Sequence, residues 1–271
     1  MQSASDVQNA GFAAAAEAFD SIAGDFDQRF AGWLSVEAQR RAVRTSLIGA
    51  FPVGSRLIEI GGGTGEDALW LENQGREVLL TDASGAMVAA ASSKGVRSKV
   101  ASAERFGELT DELRAEPRFD GAYSVFAPLN CVANLEPFAE GMAELLRPGA
   151  PLVLVMFGTC CPGEMIVEML RRRPRNVLRR FSRRDVPARL NGRRFSVRYH
   201  RKADLEHVLA PWFRLESRRG VGIFVPPSAA EPWISTHPRL LSALETLDRF
   251  AAGALSIFGD HVLYRFERTN A

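Results

Sequence analysis

An α/β architecture built on a mostly parallel sheet follows from three features of the chain. Short apolar runs alternate regularly with helical patterns, which implies parallel βαβ units. The first of these runs ends in a glycine-rich turn that opens a helix, and such a turn faces whatever sits over the carboxyl ends of the strands. The chain has 271 residues, 46% of them hydrophobic and 24% charged. That is ample for one large domain, or one domain with an elaborated cap, around a full core.

The first strand is read at Leu57, Ile58 and Ile60, apolar residues bounded by turn formers. Gly61-Gly62-Gly63-Thr64-Gly65 then turns sharply, because glycine reaches positive φ and lets a ligand approach the backbone. Glu66 to Gln74 reads as a helix stopped by Gly75. A dinucleotide fingerprint, G-x-G-x-x-G, fits neither register. Counted from Gly61 and Gly63 the third glycine falls on Glu66, and counted from Gly62 it falls on Gly65 with Thr64 in the second place. The pattern present is acid-x-Gly-x-Gly-x-Gly, from Glu59 through Gly61, Gly63 and Gly65. It resembles motif I of the class I S-adenosylmethionine-dependent methyltransferases. That resemblance implies a Rossmann-like, doubly wound seven-stranded sheet, mostly parallel with an antiparallel last strand, plus a helical cap. It also implies S-adenosylmethionine as cofactor, whose cationic sulfonium and ammonium give Glu59 charges to balance. The alternative is a glycine turn that only packs a helix on a strand.

Upstream, residues 1–9 are polar and expected to fray, and Phe12, Phe19 and Ile22 recur at helical spacing. Phe19-Asp20-Ser21-Ile22-Ala23-Gly24-Asp25-Phe26-Asp27 is similar to the "FD-x-x-A-x-x-YD" segment of small-molecule methyltransferases, with Phe26 in place of tyrosine. The resemblance implies a lid over cofactor and substrate, residues 1–50; an amphipathic helix packed on the core is the other reading. Val36 to Gly49 reads as a second helix, ending before Pro52.

The core is expected over 51–157. Glu77 to Thr81 is the second strand, and Asp82 closes it. An acid there can accept from both ribose hydroxyls, the role the resemblance also implies; a helix N-cap is the alternative, since Ala86–Ser93 follows. Ala83 adjoins it, and Met87 lies where the family packs a side chain on adenine, unless it is simply core. Arg97 to Ala101 is a weak third strand. The family's Gly-Asp-Ala is replaced by Ser102-Ala103-Glu104, so Ser102 or Glu104 is expected to serve adenine. Phe119 to Phe126 is the fourth strand, with Asp120 structural at its amino end. Phe126-Ala127-Pro128-Leu129-Asn130-Cys131 resembles the family's "F-G-x-L-N" loop, which implies cofactor contact at Phe126 and a place beside the methyl acceptor for Asn130. An Asx turn or helix cap is the alternative for Asn130, and Cys131 reads as a small buried residue. Arg147-Pro148-Gly149-Ala150 and Pro151–Phe157 match the family's turn and fifth strand.

Residues 158–202 form an insertion, with a helix over Glu164–Leu170 and an extended piece over Phe195–Tyr199. Between Arg171 and Lys202 stand fourteen Arg or Lys and one acid, Asp185. Three readings fit: a solvated, mobile segment; attraction of an anionic acceptor or an acyl carrier, suited to arginine's bidentate fork; or an anionic membrane surface or nucleic acid. Phe181, Phe195 and Tyr199 are too sparse for a base-stacking platform, so no nucleic-acid partner is expected. In the C-terminal part, 203–271, Ala203–Leu209 is a helix and Phe213–Val221 a strand. Pro238–Ala252 is a helix with Leu240, Leu241, Leu244, Leu247 and Phe250 on one stripe. Gly259-Asp260-His261 opens Val262–Phe266, which resembles the antiparallel seventh strand, so Asp260 and His261 should start at the cofactor edge.

The function expected is methyl transfer from S-adenosylmethionine to a small lipophilic or anionic acceptor. Alternatives keep the cofactor but use non-methylating chemistry such as cyclisation, or make the chain a non-catalytic cofactor-binding partner. Methyl transfer needs positioning above all, and a base only if the acceptor must lose a proton. His261 beside Asp260 is the first candidate base, with a structural histidine that holds the strand start as the other reading, and His200 is the second. Cys131, Cys160 and Cys161 show no zinc spacing and suit a reduced, cytoplasmic protein. No secretory signal is visible, no apolar run is long enough to span a bilayer, no metal is expected, and the oligomeric state is left open.

Overall fold

A computed structural model describes residues 14–270 of the chain; the expectations for residues 1–9 and for Phe12 lie outside them. Seven strands form one sheet: β1 (Arg56–Ile60), β2 (Glu77–Asp82), β3 (Ser98–Val100), β4 (Gly121–Ser124), β5 (Pro151–Phe157), β8 (Phe213–Val221) and β9 (His261–Arg268). Their order is β3-β2-β1-β4-β5-β9-β8. β9 runs antiparallel to β5 and β8, and every other pairing is parallel. The last strand in sequence is therefore the antiparallel one, but β8 holds the edge. Chain order reverses at β1/β4, where β2 and β3 continue to one side and β5 to the other, and this is the crevice in which open α/β sheets take ligands.

Period-two alternation sends neighbouring residues of β1 to opposite faces. Ile58 and Ile60 pack with Phe106 and Leu109 of α6 (Phe106–Leu113), Phe138 and Met142 of α7 (Glu136–Leu145), and Leu205 of α10 (Lys202–Leu209). Leu57 packs with Leu47 of α3 (Leu34–Ala50), Leu71 of α4 (Glu66–Asn73) and Val88 of α5 (Gly85–Ser93). Each fully buried side chain of this kind contributes about 1.5–3 kcal/mol, so the two layers hold the strand ends rigid. Glu59 falls on the α3 side by the same alternation.

Two further pieces lie across the carboxyl edge. The first is the N-terminal segment: a helix over 14–20 (α1), a short turn at Ala23–Asp25 and α2 (Phe26–Phe30). The second is the insertion, with α8 (Pro162–Leu170), α9 (Pro174–Val177) and an antiparallel hairpin of β6 (Val186–Leu190) and β7 (Arg193–Val197). The arginine-rich run is thus folded, which corrects the mobile-segment reading. β6 was not anticipated, although Asn191-Gly192 is the strongest short hairpin signal; both residues take positive φ, 47° and 79°. The apolar stripe expected on the helix after Pro238 is not a core stripe. On α11 (Pro238–Ala251) only Leu241 is buried, while Leu240, Leu247 and Phe250 are exposed.

Candidate active site

The glycine loop follows from its sequence residue by residue. Gly61, Gly63 and Gly65, the three glycines of the pattern, have φ of 68°, 55° and 81°, a region L-residues enter at a penalty of roughly 1–2 kcal/mol. A Cβ at Gly61 would collide with Pro128, and one at Gly62 would lie 2.7 Å from Glu59 Oε2. A Cβ at Gly63 would meet nothing within 4 Å, so this residue opens outward from the loop. Its N–H donates to Asp82 Oδ2 at 2.8 Å. The other Asp82 oxygen accepts from Ser84 N–H at 2.8 Å, and Ser84, not Asp82, caps α5. A carboxylate has about four acceptor sites, so two remain for a ligand. Burial holds the Asp82 carboxyl above its ordinary range despite the two N–H donors.

Beneath the loop, Glu59 is 1% exposed. Its Oε2 and the neighbouring Tyr123 hydroxyl have no hydrogen-bond partner among the described residues. Burial, then the charges of Asp67 and Asp82, push this carboxyl well above its usual range, with the nearby Tyr123 hydroxyl and Arg40 only partly compensating. An uncompensated acid under an outward-opening glycine loop fits a cationic ligand and repels a phosphate.

The N-terminal segment is pinned by two aspartates, Asp20 and Asp27. Asp20 Oδ1 accepts from Ser84 Oγ at 2.5 Å and Ala86 N–H at 3.1 Å. Asp27 accepts from Thr64 Oγ1 at 2.5 Å, in the glycine loop, and from Lys94 at 2.6 Å. Ring contacts run along the roof, from Trp33 to Phe30 (5.3 Å), Phe26 (5.3 Å), Phe19 (6.3 Å) and across to Phe195 of the hairpin (6.1 Å). Leu190 and Met87 complete the cluster with Ile22 and Ala23. Met87 is therefore fully buried under the lid in this structure, rather than open to a nucleoside. Phe26 and Phe30 face Arg40 and Glu66 across a cavity of about 100 Å³.

At the opposite end of the crevice, His261 begins β9. Its ring stacks on Phe157 at 5.1 Å and meets Phe126 edge-on at 5.7 Å. Strands are spaced about 4.8 Å apart, so His261, two strands beyond β4, stands roughly 10 Å past the strand that flanks the crevice. Nδ1 lies 3.2 Å from Gln39 Oε1 and 3.5 Å from Asp260 Oδ2. Gln39 Nε2 donates to the same Asp260 oxygen at 3.2 Å. The glutamine thus bridges the two residues in place of a direct dyad, and it fixes the proton on Nδ1. Burial pulls the imidazole below its ordinary pKa, with Asp260 opposing, so the ring is neutral at pH 7. Asp260 accepts from Arg180 at 2.6 Å, and the same guanidinium holds Glu164. Burial would raise Asp260, but His261 and Arg180 outweigh it and keep the carboxyl low.

Several expected site residues stand elsewhere or are otherwise engaged. Asn130 is fully buried; its Oδ1 accepts from Phe157 N–H at 3.0 Å and its Nδ2 donates to the Arg198 carbonyl at 2.5 Å. It ties β5 to the end of the hairpin instead of facing an acceptor. His200 is buried with Nε2 3.2 Å from the Val132 carbonyl, and lines a cavity of about 490 Å³ with Arg183, Arg201 and Asp204. None of that cavity's lining residues belongs to the glycine loop, the end of β2 or the start of β9, so His200 is not placed as the base. Ser102 donates to Glu104, and Ala83 is exposed; all three lie at the carboxyl edge beyond β2 and β3. Burial pushes the Cys131 thiol up to about 12, which removes it as a nucleophile, and the cysteines are all free. No cluster of His, Cys, Asp and Glu among the described residues could hold a metal. Gln39, Arg40 and Arg180 were not anticipated: no local pattern marks a residue that meets Asp260 from 80 or more positions away, and Arg40 comes near Glu66 and Asp67 only through the packing of α3 on α4.

Residues 58–152 match the family model described as a methyltransferase domain. No curated protein matches the chain in sequence. Among solved structures, a TehB-like S-adenosylmethionine-dependent methyltransferase from Corynebacterium glutamicum aligns at a TM-score of 0.51 and 14% identity, over 92% of this chain and 99% of that one. The [4+2]-cyclase SpnF aligns at 0.50 and 14%, over 85% and 82%. A structure concerned with conversion of a disulfide bond into a thioacetal group during echinomycin biosynthesis aligns at 0.50 and 20%, over 84% and 82%. At such identities the likeness speaks for the fold, while the family match speaks for the segment that carries the glycine loop, Asp82 and Asn130. Residues 58–152 thus match a methyltransferase domain within a Rossmann-like fold shared with methyltransferase structures, and that match implies S-adenosylmethionine as the cofactor.

Proposed function

We propose that the chain transfers a methyl group to a small lipophilic or anionic acceptor. The observation that carries this is the loop itself: three left-handed glycines, an acid with spare acceptor sites at Asp82, and an uncompensated buried acid at Glu59. S-adenosylmethionine, when bound, supplies an electrophilic methyl with a neutral thioether as leaving group. Asp82 would accept from its ribose hydroxyls, Gly61, Gly63 and Gly65 would let it approach the backbone, and Glu59 would offset its positive charge. Ala83, Ser102 and Glu104 would flank its adenine side, with Phe26 as an apolar wall; Met87, buried beneath that ring, would support it from behind. Phe126 and Phe157, whose rings meet His261 at 5.7 and 5.1 Å, would wall the acceptor side, which supports a lipophilic acceptor. Where the acceptor must lose a proton, neutral His261 would take it at Nε2, with Gln39 holding the Nδ1 proton.

Calorimetry with S-adenosylmethionine tests the cofactor role. Asp82→Ala should weaken binding at least about tenfold, since two charge-assisted hydrogen bonds are lost; equal affinity would remove the assignment. Mass spectrometry of a metabolite extract tests the chemistry. A product heavier by one methylene, with S-adenosylhomocysteine, is expected. A rearranged product with intact cofactor would favour cyclisation or related chemistry, and binding without turnover would favour a cofactor-binding partner protein.

A further inference from the structure

Helix α8 is turned inside out. At 100° per residue, Ile166, Met169 and Leu170 share one face, and Glu164 and Glu168 share the opposite one. The acids are the buried side: Glu164 is held by Arg179 and Arg180, and Glu168 accepts from Asn176 at 2.7 Å. The apolar side faces out. Ile166, Met169 and Leu170, with Leu178 and Phe181 farther along the chain, are 44–79% exposed. Side chains exposed to this degree stand proud of the surface and do not line a groove.

The chain that follows supplies charge of a single sign. Arg171, Arg172, Arg173, Arg175, Arg183 and Arg184 are all exposed, and none forms an ion pair among the described residues; Arg171 meets only the Ala229 carbonyl. Both acids within α8 are turned inward, so neither neutralises these guanidinium groups. A protein partner would have to bring acids placed to match these guanidinium groups one by one, whereas an anionic lipid surface pairs them in any arrangement. Protruding aliphatic groups ringed by unpaired arginines instead suit a fluid apolar phase beneath anionic headgroups. No helix among the described residues is long and apolar enough to cross a membrane, and docking at a surface requires none.

We propose that the outward face of α8, with the arginines of residues 171–184, docks the protein onto an anionic lipid surface. The inference is independent of the reaction catalysed. It is tested by co-sedimentation of the full chain with vesicles of phosphatidylcholine alone and of phosphatidylcholine containing phosphatidylglycerol. Binding to the anionic vesicles is expected, weakening steeply between low and physiological salt. Arg172→Gln/Arg173→Gln/Arg175→Gln should lower the partition coefficient roughly a hundredfold, and Ile166→Ser/Met169→Ser/Leu170→Ser at least about tenfold. Both variants change exposed side chains, so unchanged melting temperature and cofactor affinity serve as controls. Three results would each overturn the proposal: no binding to anionic vesicles at low salt, equal binding to neutral ones, or a dimer in solution that the triple serine variant converts to monomer. The last would show that a second copy of the chain covers this face.

Discussion

Two fully buried acids stand at opposite ends of the candidate site, and their surroundings push them in opposite directions. Glu59 lies under the glycine loop with an oxygen that nothing meets, and burial with two neighbouring acids raises its pKa well above the usual range. Asp260 lies at the start of β9, just as deeply buried, yet His261 and Arg180 hold it low. Burial alone therefore does not decide charge; a partner does. The glycine-loop end is an electrostatic vacancy suited to an incoming cation. The β9 end is already complete, and its charges serve to hold His261 in place.

Removing the partner should break the contrast most severely. Arg180→Met leaves both Asp260 and Glu164 without their shared cation, and such a loss inside a protein costs about 3–5 kcal/mol. Chemical denaturation measures it; a loss below about 1 kcal/mol would mean the network contributes little.

The second test uses pH. Because the folded carboxyl of Glu59 is raised, its contribution is fully present below the ordinary glutamate pKa and is lost as pH rises through the folded value. The unliganded chain should lose up to about 1.4 kcal/mol per pH unit within that window on account of Glu59, and Glu59→Gln should reduce the slope to what the other raised carboxyls, Asp82 among them, contribute. Asp260 has the reverse sign: its contribution is present above the ordinary aspartate pKa and is lost as pH falls through the lowered folded value. In the same scan, S-adenosylmethionine affinity should rise with pH in the wild type and stay flat in Glu59→Gln. A flat wild-type profile would show Glu59 already ionised and the contrast false.

The smallest effect on stability, with a large one on binding, is expected at Gly63→Ala. The left-handed φ costs about 1 kcal/mol, while the added methyl projects into the space where the loop opens. Cofactor affinity should fall at least about tenfold by calorimetry, with only a few degrees lost in melting temperature. Unchanged affinity would place the ligand away from this loop.

How much was legible differs between the same two ends. The loop's conformation was readable because glycine at three alternate positions is a local instruction: each sits where φ is positive, and the acid and strand around it are contiguous in sequence. Asp82 was readable for the same reason, as the last residue of the next strand. At the other end, His261 could be placed by topology, but its partners could not be named. Gln39 comes from α3 and Arg180 from the insertion, and only packing brings them together. Asn130 was recognised by its motif, yet its amide is occupied by Phe157 and Arg198, and no local pattern reports that. The Asn191-Gly192 turn was local and readable, and Pro187 and Arg189 of β6 obscured it.

Sequence by itself determined the order of strands and helices, the glycine turn, and the acids that border it, because backbone preference and hydrophobic period act over a few residues. Tertiary structure decided which buried acid has a counterion, which aromatic side chains form the roof, and which face of α8 and α11 meets water. Those outcomes depend on contacts between segments far apart in the chain, where desolvation and pairing act on distances that the order of residues does not contain.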